Sequence, residues 1–418
     1  MVYLGKMSNI IFHSVSNKIN DSFVGIKVDG NDIHLYHPQC YSINKDSLKE
    51  DIINLIQTIS IANTFSNDRS NIFNKKNIGS EFALNSYIWI IRDYLKNGLY
   101  QNKEKVYKIN RSGRINWKKT IEQDPIISNK EIVYKDLIVE IKDNKENLLV
   151  EIYKFCLNKS VDYIGWLFGI NAIHFDVPIF NATRKKLYIH VLMDELYQTF
   201  NDDKKSRLQQ MLNIITGLDE SSNNKSYIYG VDNYYYIYER MIDCIFNNVS
   251  SISDFYPKGK WQLIKYHYCE KDSSSLRPDT VMIKDDKAFI LDAKYYAFGY
   301  TCDLNDLPET SSIQKQITYG EYVLNNSKLN FSKIYNAFLI PYDKDYENEF
   351  KSNEIIQYIG FAKSDWKNNE KNYEFIHTFL IDLKHVIKTW NSRIHKNDVS
   401  KLISDIEKYD LIALELNH

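Results

Sequence analysis

Residues 276–296, LRPDTVMIKDDKAFILDAKYY, constrain this chain more than any other stretch. Val281, Met282 and Ile283 form a short apolar strand, and Lys284 to Lys287 make a polar turn. Ala288 to Leu291 form a second apolar strand, which ends in acid, small residue and base: Asp292-Ala293-Lys294. Strand side chains alternate between faces. Asp292 and Lys294 are therefore expected to project together, with Phe289, Leu291 and Ala293 pointing the other way into a core. Asp279, at the start of the partner strand, approaches the same edge. Two carboxylates and one ammonium then meet at a sheet end.

That set of side chains suits one kind of chemistry. Hard oxygen donors favour Mg²⁺. A phosphodiester is anionic and repels hydroxide. A carboxylate-held Mg²⁺ neutralises phosphoryl oxygens, acidifies a bound water and steadies the leaving oxygen. A nearby lysine can orient the nucleophile or stabilise transition-state charge. The bland alternative is a surface hairpin with an ordinary Asp–Lys pair, since PD dipeptides and DxK tripeptides each arise by chance. Their joint occurrence on two adjacent apolar strands is much rarer.

The pattern resembles the PD-(D/E)xK nuclease superfamily, whose shared core runs helix, three strands, helix, strand. The flanking sequence follows that order. YYYIYERMIDCIF (234–246) reads as a helix, with Ile237, Met241, Cys244 and Ile245 at helical spacing. WQLIKYHYC (261–269) reads as the first core strand. SSIQKQITYGEYVL (311–324) reads as the second helix, and IYNAFLIP (334–341) as a buried strand stopped by Pro341. The fold class expected is α/β, a restriction-endonuclease-like αβββαβ core with an N-terminal mixed α/β arm. The resemblance implies Asp279, Asp292 and Glu239 as metal ligands, Lys294 as a catalytic charge, and Mg²⁺ as cofactor. It also implies a glutamine on the second helix near the scissile phosphate. Gln316 fits, one turn from Tyr319 and facing with it, and Gln314 competes.

FVGIKV and IHLYHPQCY (23–41), SEFALNSYIWIIRDYLKNGLY (80–100) and GRINWKKTI (113–121) extend the likeness. With IYERM and the PD…DAK stretch, they resemble LlaJI-type and McrC-like restriction endonucleases. The implied activity is hydrolysis of duplex DNA at a specific sequence. The histidine of YHPQCY departs from the short motif that relatives carry there.

Organisation can be read upstream as well. Val24, Ile26 and Val28, the Asp29-Gly30 turn, and Ile33 and Leu35 predict a hairpin. Ser47 with Glu50 reads as a capping box opening a helix to Ile59. A helix is expected from Ser80 to Asn97, stopped by Gly98. The segment 102–135 reads as polar and loop-rich. Helices are expected from Leu148, continuing through a kink toward Phe168, and from Lys185 to Phe200. The Ser/Asn run at 220–226 is the expected boundary between a recognition region, 1–225, and a nuclease region, 226–418. On that division, a fragment starting near Lys225 keeps the nuclease fold. Strands at 355–362 and 373–382 and helices at 383–390 and 399–414 complete the chain.

Composition bounds the partners. With 53 basic and 54 acidic residues the net charge is −1, unlike a protein that merely coats DNA. Local clusters remain: Lys103, Lys105, Lys108, Arg111, Arg114, Lys118 and Lys119 around Trp117, then Arg184 to Lys186, then Lys204, Lys205 and Arg207. Arg111, Arg114, Lys118 and Lys119 are the expected DNA contacts, and each cluster is also readable as a solvated face. Five cysteines without CxxC spacing suggest neither a disulfide framework nor a zinc ribbon. His267 and Cys269 lack a second ligand pair and read as strand packing. No apolar run spans a bilayer and no secretory apolar region stands near Met1, so a cytoplasmic location without membrane contact is expected. No GxxxxGK[ST] occurs, so any motor would be another protein. Duplex DNA is the expected partner; a second copy of the chain, and a separate methyltransferase or NTPase, remain open. So do three other functions: a McrC-like subunit that cuts only with a motor, a DNA-binding protein with an idle nuclease fold, and an RNA-processing or repair nuclease.

Overall fold

The computed structural model describes residues 10–16, 21–29, 32–44, 46–64, 83–100, 104–109, 114–128, 131–143, 148–168, 170, 173–218, 227–264, 270–392 and 395–417. In chain order, strands β1 (Ile10–Val15), β2 (Val24–Asp29) and β3 (Asp32–Pro38) precede helix α1 (Leu48–Thr64). There follow α2 (Leu84–Asn97), β4 (Glu104–Ile109), β5 (Arg114–Ile115), α3 (Trp117–Ile121), β6 (Ile126–Ser128), β7 (Glu131–Val133) and β8 (Ile138–Asp143). Three helices come next: α4 (Leu148–Phe168), α5 (Ala182–Gln198) and α6 (Asp202–Thr216). After them lie β9 (Tyr227–Val231), α7 (Tyr234–Phe246), β10 (Lys258–Gln262), β11 (Glu270–Ser275), β12 (Thr280–Lys284) and β13 (Lys287–Ala293). The chain ends with α8 (Phe298–Thr301), α9 (Thr310–Asn325), β14 (Lys333–Tyr342), β15 (Ile356–Ala362), β16 (Ile376–Asp382), α10 (Leu383–Thr389) and α11 (Lys396–Asn417).

These elements form two compact units. One contains residues 80–227; the other contains 9–28, 32–79 and 228–418. The expected cut near 225 coincides with one crossing, but most of the first 79 residues belong with the C-terminal unit. The Ser/Asn run at 220–226 itself lies outside the described residues.

The larger unit is built on a five-stranded sheet, β12-β13-β14-β16-β15. β13, β14 and β16 run parallel, and antiparallel β12 and β15 flank them. Such a central parallel trio needs cover on both faces. Its sequence obliges, since Ala288 to Ala293 and Ile334 to Tyr342 are buried without a break. Ala288 and Ile290 share a core with Ile317, Tyr319 and Val323 of α9, while Phe289 stacks on Tyr335. The β12–β13 turn is as tight as expected, with Asp285 at φ 55°. β14 does not stop at Pro341 but runs on to Tyr342, with Pro341 in register with Ile381.

The fold is mixed α/β with the expected nuclease-like order, and one strand differs. Trp261 and Gln262 belong to β10, which pairs only with β11 in a separate two-stranded sheet. Residues 265–269, including His267 and Cys269, lie outside the described residues. The alternation at 261–269 that reads as a core strand leaves Trp261, Leu263 and Ile264 exposed.

A second sheet of the same unit, β1-β3-β2-β9, contains the expected 24–35 hairpin. Its backbones are close: a Cβ on Gly25 would lie 2.2 Å from Tyr229 O, and Gly25 has φ +153°. Ser47 precedes α1 as expected, but its hydroxyl bonds the Asp51 carboxylate, at 2.7 Å, instead of closing a box with Glu50. In the other unit, α2 ends at Gly98, whose N–H donates to Tyr94 O. The segment expected to be loop-rich, 102–135, instead carries β4 and β5, which pair with β8 just beyond it, and the hairpin β6-β7. Short strands among lysines and asparagines give little periodic signal, which is why they escape a reading by hydrophobic pattern. α6 was likewise not anticipated; Asn201 caps it by accepting from Lys204 N.

Candidate active site

The end of β13 is where the chemistry-bearing residues meet. Asp292 is the penultimate residue of β13, opposite Phe338 of β14, and it is 7% exposed. It keeps phase with Ala288 and Ile290 and so lies on the face covered by α9. Two residues later the chain leaves the strand, and Lys294 N donates to Leu339 O. The Lys294 ammonium returns to Asp292 Oδ2 at 2.7 Å. It also stands 5.7 Å from the centroid of the Phe338 ring, which limits its exposure to water.

Asp279 arrives from the neighbouring edge. Its Oδ2 accepts from Ala293 N at 3.1 Å, which pins the start of β12 to the end of β13. Its carboxyl lies close enough to Asp292 for the two to repel when both are ionised. Burial first, and then the Asp292 charge, hold Asp279 well above the usual carboxylate range; Glu239 adds to this and Lys294 opposes it. Burial also works against the charge on Lys294, but Asp292 and Asp279 outweigh it, so the ammonium is held more firmly than usual. With both aspartates ionised, one lysine would leave a negative charge uncancelled, and the raised pKa of Asp279 expresses that repulsion as well as burial.

Glu239 projects from α7, half-buried, and acts on Asp279 electrostatically. Among the described residues, no three His, Cys, Asp or Glu side chains are grouped so as to hold a metal ion. The carboxylates that could hold Mg²⁺ are Asp279 and Asp292, with Glu239 acting on Asp279. Mg²⁺ commonly takes one or two carboxylates and fills its remaining positions with water and substrate phosphate.

The two residues paired on α9 part company. Gln316 is fully buried, with Nε2 donating to Ile290 O at 2.7 Å and contacting Asn336 Oδ1 at 3.3 Å. Asn336 Nδ2 in turn donates to Gln316 O and Tyr373 O. This amide network fastens α9 to the sheet. The competitor Gln314 is exposed. Tyr319 is the member that approaches the acids: its hydroxyl donates to Arg277 O at 3.0 Å. Burial, and then Asp292 and Asp279, push its pKa up. Its spacing from Gln316 is the sequence signal that places it on this face of α9. Replacing Gln316 with Leu is expected to cost about 1–3 kcal/mol of stability by stranding buried polar partners, read by urea denaturation. Unchanged stability would return Gln316 to the list of candidate catalytic groups.

The proposed DNA contacts lie in the other unit. Arg114 ends up exposed on β5, and Lys118 and Lys119 exposed on α3, where Asn116 caps the helix through Lys119 N. Trp117 beside them is 58% exposed. Arg111 lies outside the described residues. The two other clusters are largely engaged within the fold. Arg184 is paired with Glu151, Lys204 with Glu195, and Arg207 with Asp93 at 2.8 Å.

No helix among the described residues is long and apolar enough to cross a membrane. Comparison with known proteins gives the site a context. The Type II restriction enzyme BsuMI component YdjA of Bacillus subtilis (strain 168) is 24% identical over 336 residues, covering 74% of this chain and 67% of that protein. A chain from the assembly of Thermococcus gammatolerans McrB AAA+ hexamers with bound McrC overlays 90% of this chain and 83% of its own length, at TM-score 0.39 and 14% identity. A chain of the Thermococcus gammatolerans McrBC complex covers 51% of this chain and 63% of its own, at TM-score 0.21 and 13% identity. The family model of the LlaJI restriction endonuclease matches residues 23–365, most of the sequence, and the chain belongs to that family.

Proposed function

We propose that this chain is a Mg²⁺-dependent endonuclease of the PD-(D/E)xK type, cutting duplex DNA at a specific sequence within a restriction system. The observation that carries this is the convergence of Asp279, Asp292 and Lys294 at the end of β13. Asp279 and Asp292 would hold the cation, and Glu239 would add to the field that draws it in. Bound there, Mg²⁺ supplies charge neutralisation at the phosphate and a more acidic water. Asp292 holds the Lys294 ammonium in place. From there Lys294 faces the reacting phosphate and stabilises charge that develops in the transition state. Phe338 keeps water from that ammonium, which strengthens its field.

The test is digestion of a mixed-sequence plasmid by the intact chain with Mg²⁺, followed by sequencing of fragment ends. Discrete ends at one site support the reading; no cutting with Mg²⁺ or Mn²⁺ under any condition counts against it. A second reading is favoured by the description of the Bacillus subtilis relative as a component. On it, the chain cuts only with other proteins of its system, among them a separate NTPase or methyltransferase. Cutting restored by adding those proteins would select it.

In this reading Arg114, Lys118 and Lys119 contact phosphates, which position a protein on DNA without reading sequence. Reversing Lys118 and Lys119 to Glu is expected to weaken binding to cognate and random duplexes alike and to lessen its salt dependence. Anisotropy titrations in Ca²⁺ would show this. Loss of discrimination at unchanged overall affinity would instead place the two lysines at base edges.

A further inference from the structure

Among the described residues, the ribbon β10–β11 joins no other sheet. Every residue of β10 is exposed, and so are Glu270 to Asp272 of β11. Trp261 is 62% exposed, Leu263 40% and Ile264 74%. An isolated two-stranded ribbon is marginal in water, and an exposed tryptophan on it leaves a large apolar area unburied. Yet the ribbon is tied at its base. Leu276 N donates to Pro257 O at 3.0 Å, and the Arg277 guanidinium lies 5.6 Å from the Tyr256 ring centroid. Arg277 O accepts from Tyr319, the tyrosine beside the acid pair. Two residues after Arg277 comes Asp279. The ribbon is thus an arm tied at its base that leads directly into the candidate active site.

We infer that the β10–β11 ribbon is a duplex-DNA contact that positions the substrate for the Asp279–Asp292–Lys294 site. The inference rests on the nuclease reading and adds a binding element to it. Three features favour DNA as the occupant. First, Lys258, Lys260, Lys271 and Arg277 outnumber Glu270 and Asp272; both acids lie on the Lys260–Gln262 face, where Asp272 is also 3.9 Å from Lys258, which leaves the Trp261–Lys271 face without an acid. Second, Lys271 stands opposite Trp261 in the ladder, so one face presents an ammonium beside an indole. That combination suits a phosphate with its neighbouring sugar. Third, the reach fits. Lys271 is eight residues from Asp279, at most about 28 Å along an extended chain, which is within roughly one turn of B-DNA, ~34 Å. A two-stranded ribbon is also narrow enough to enter the major groove.

The test uses the intact chain and a fluorescent duplex in Ca²⁺, over a range of salt. Lys260→Ala with Lys271→Ala is expected to weaken binding roughly tenfold and to lower the slope of log K against log salt by about 2. Trp261→Ala is expected to weaken binding with the slope unchanged. Because a ribbon variant could perturb folding, lysine acetylation of the wild-type chain provides a second measurement. Lys260 and Lys271 should be protected by bound duplex. Duplex binding that leaves both lysines unprotected, or that both variants retain in full, overturns the ribbon inference and leaves the nuclease reading standing. A wild-type chain that binds no duplex overturns both. Protection of the ribbon by a protein of the same system, and not by duplex, would show that its occupant is protein.

Discussion

Asp292→Asn is expected to abolish DNA cleavage while the protein folds normally and still binds duplex in Ca²⁺. The change keeps the side chain's volume and removes one charge. That charge has two partners, the Lys294 ammonium at 2.7 Å and the cation proposed between Asp292 and Asp279. Its loss should therefore act twice, by weakening cation binding and by freeing Lys294 from its aim. A fall of at least about a hundredfold is expected, ~3 kcal/mol of transition-state stabilisation. Raising Mg²⁺ should recover part of the first effect and none of the second. Lys294→Ala should instead lower the rate without changing the Mg²⁺ concentration needed, because a charge aimed at the reacting phosphate acts in the transition state. Plasmid nicking across a Mg²⁺ titration separates the two. Wild-type-like cutting by Asp292→Asn would end its assignment as a ligand, whatever the other residues do.

The site was legible in the sequence because it is local. Asp279, Asp292 and Lys294 sit on one hairpin whose register is fixed by a two-residue turn, so proximity followed from strand geometry alone. Glu239 needed a helix to be placed beside that hairpin, and the regular apolar face of α7 made the helix readable. What a tripeptide alone cannot tell is shown by a second acid–x–base triplet, Asp382-Leu383-Lys384, at the end of parallel strand β16. There Asp382 caps α10 through His385 N, and Lys384 turns away to Asp51 at 2.7 Å. A second acid, Asp343, does arrive at the end of the adjoining strand β14 and, after burial, raises the pKa of Asp382. Its carboxylate accepts from the N–H and hydroxyl of Ser42, however, so the same residue types at the same strand end serve packing. The β10–β11 ribbon misled for a different reason. Its alternation of large and polar residues is what a half-buried strand shows, and periodicity does not report whether a core exists to receive the apolar face. For Gln316, helical spacing gives the face of a residue and not its depth: three residues apart, Gln316 bonds the sheet backbone and Tyr319 bonds Arg277 O, within the field of the acids.

A fragment beginning at residue 226 is expected not to fold, contrary to what the completeness of the core order in the sequence suggests. The reason lies in α1. It belongs to the same compact unit as the five-stranded sheet and packs on α7 and α10. Ile52, Ile53, Leu55, Ile56 and Ile59 are all nearly or fully buried. Burying side chains of this kind is worth about 1.5–3 kcal/mol each, so their loss would cost on the order of 10 kcal/mol, comparable to the whole stability of a domain. Polar ties add to this. Lys384 Nζ bonds Asp51, which has no exposure, and donates to Ser42 O at 3.2 Å; Asp343 holds Ser42 N at 2.8 Å. Without residues 9–79, Lys384 and Asp343 would lose those partners and α7, the helix that carries Glu239, would lose its cover. Far-UV and near-UV circular dichroism of the 226–418 fragment should show the absence of fixed tertiary structure. Adding back residues 9–79 as a separate chain should restore it, since what is missing is a packing partner and not a covalent link. A cooperative melt by the 226–418 fragment alone would show that the segments joined in space are independent in energy, and that the N-terminal strands and α1 decorate the nuclease unit without building it.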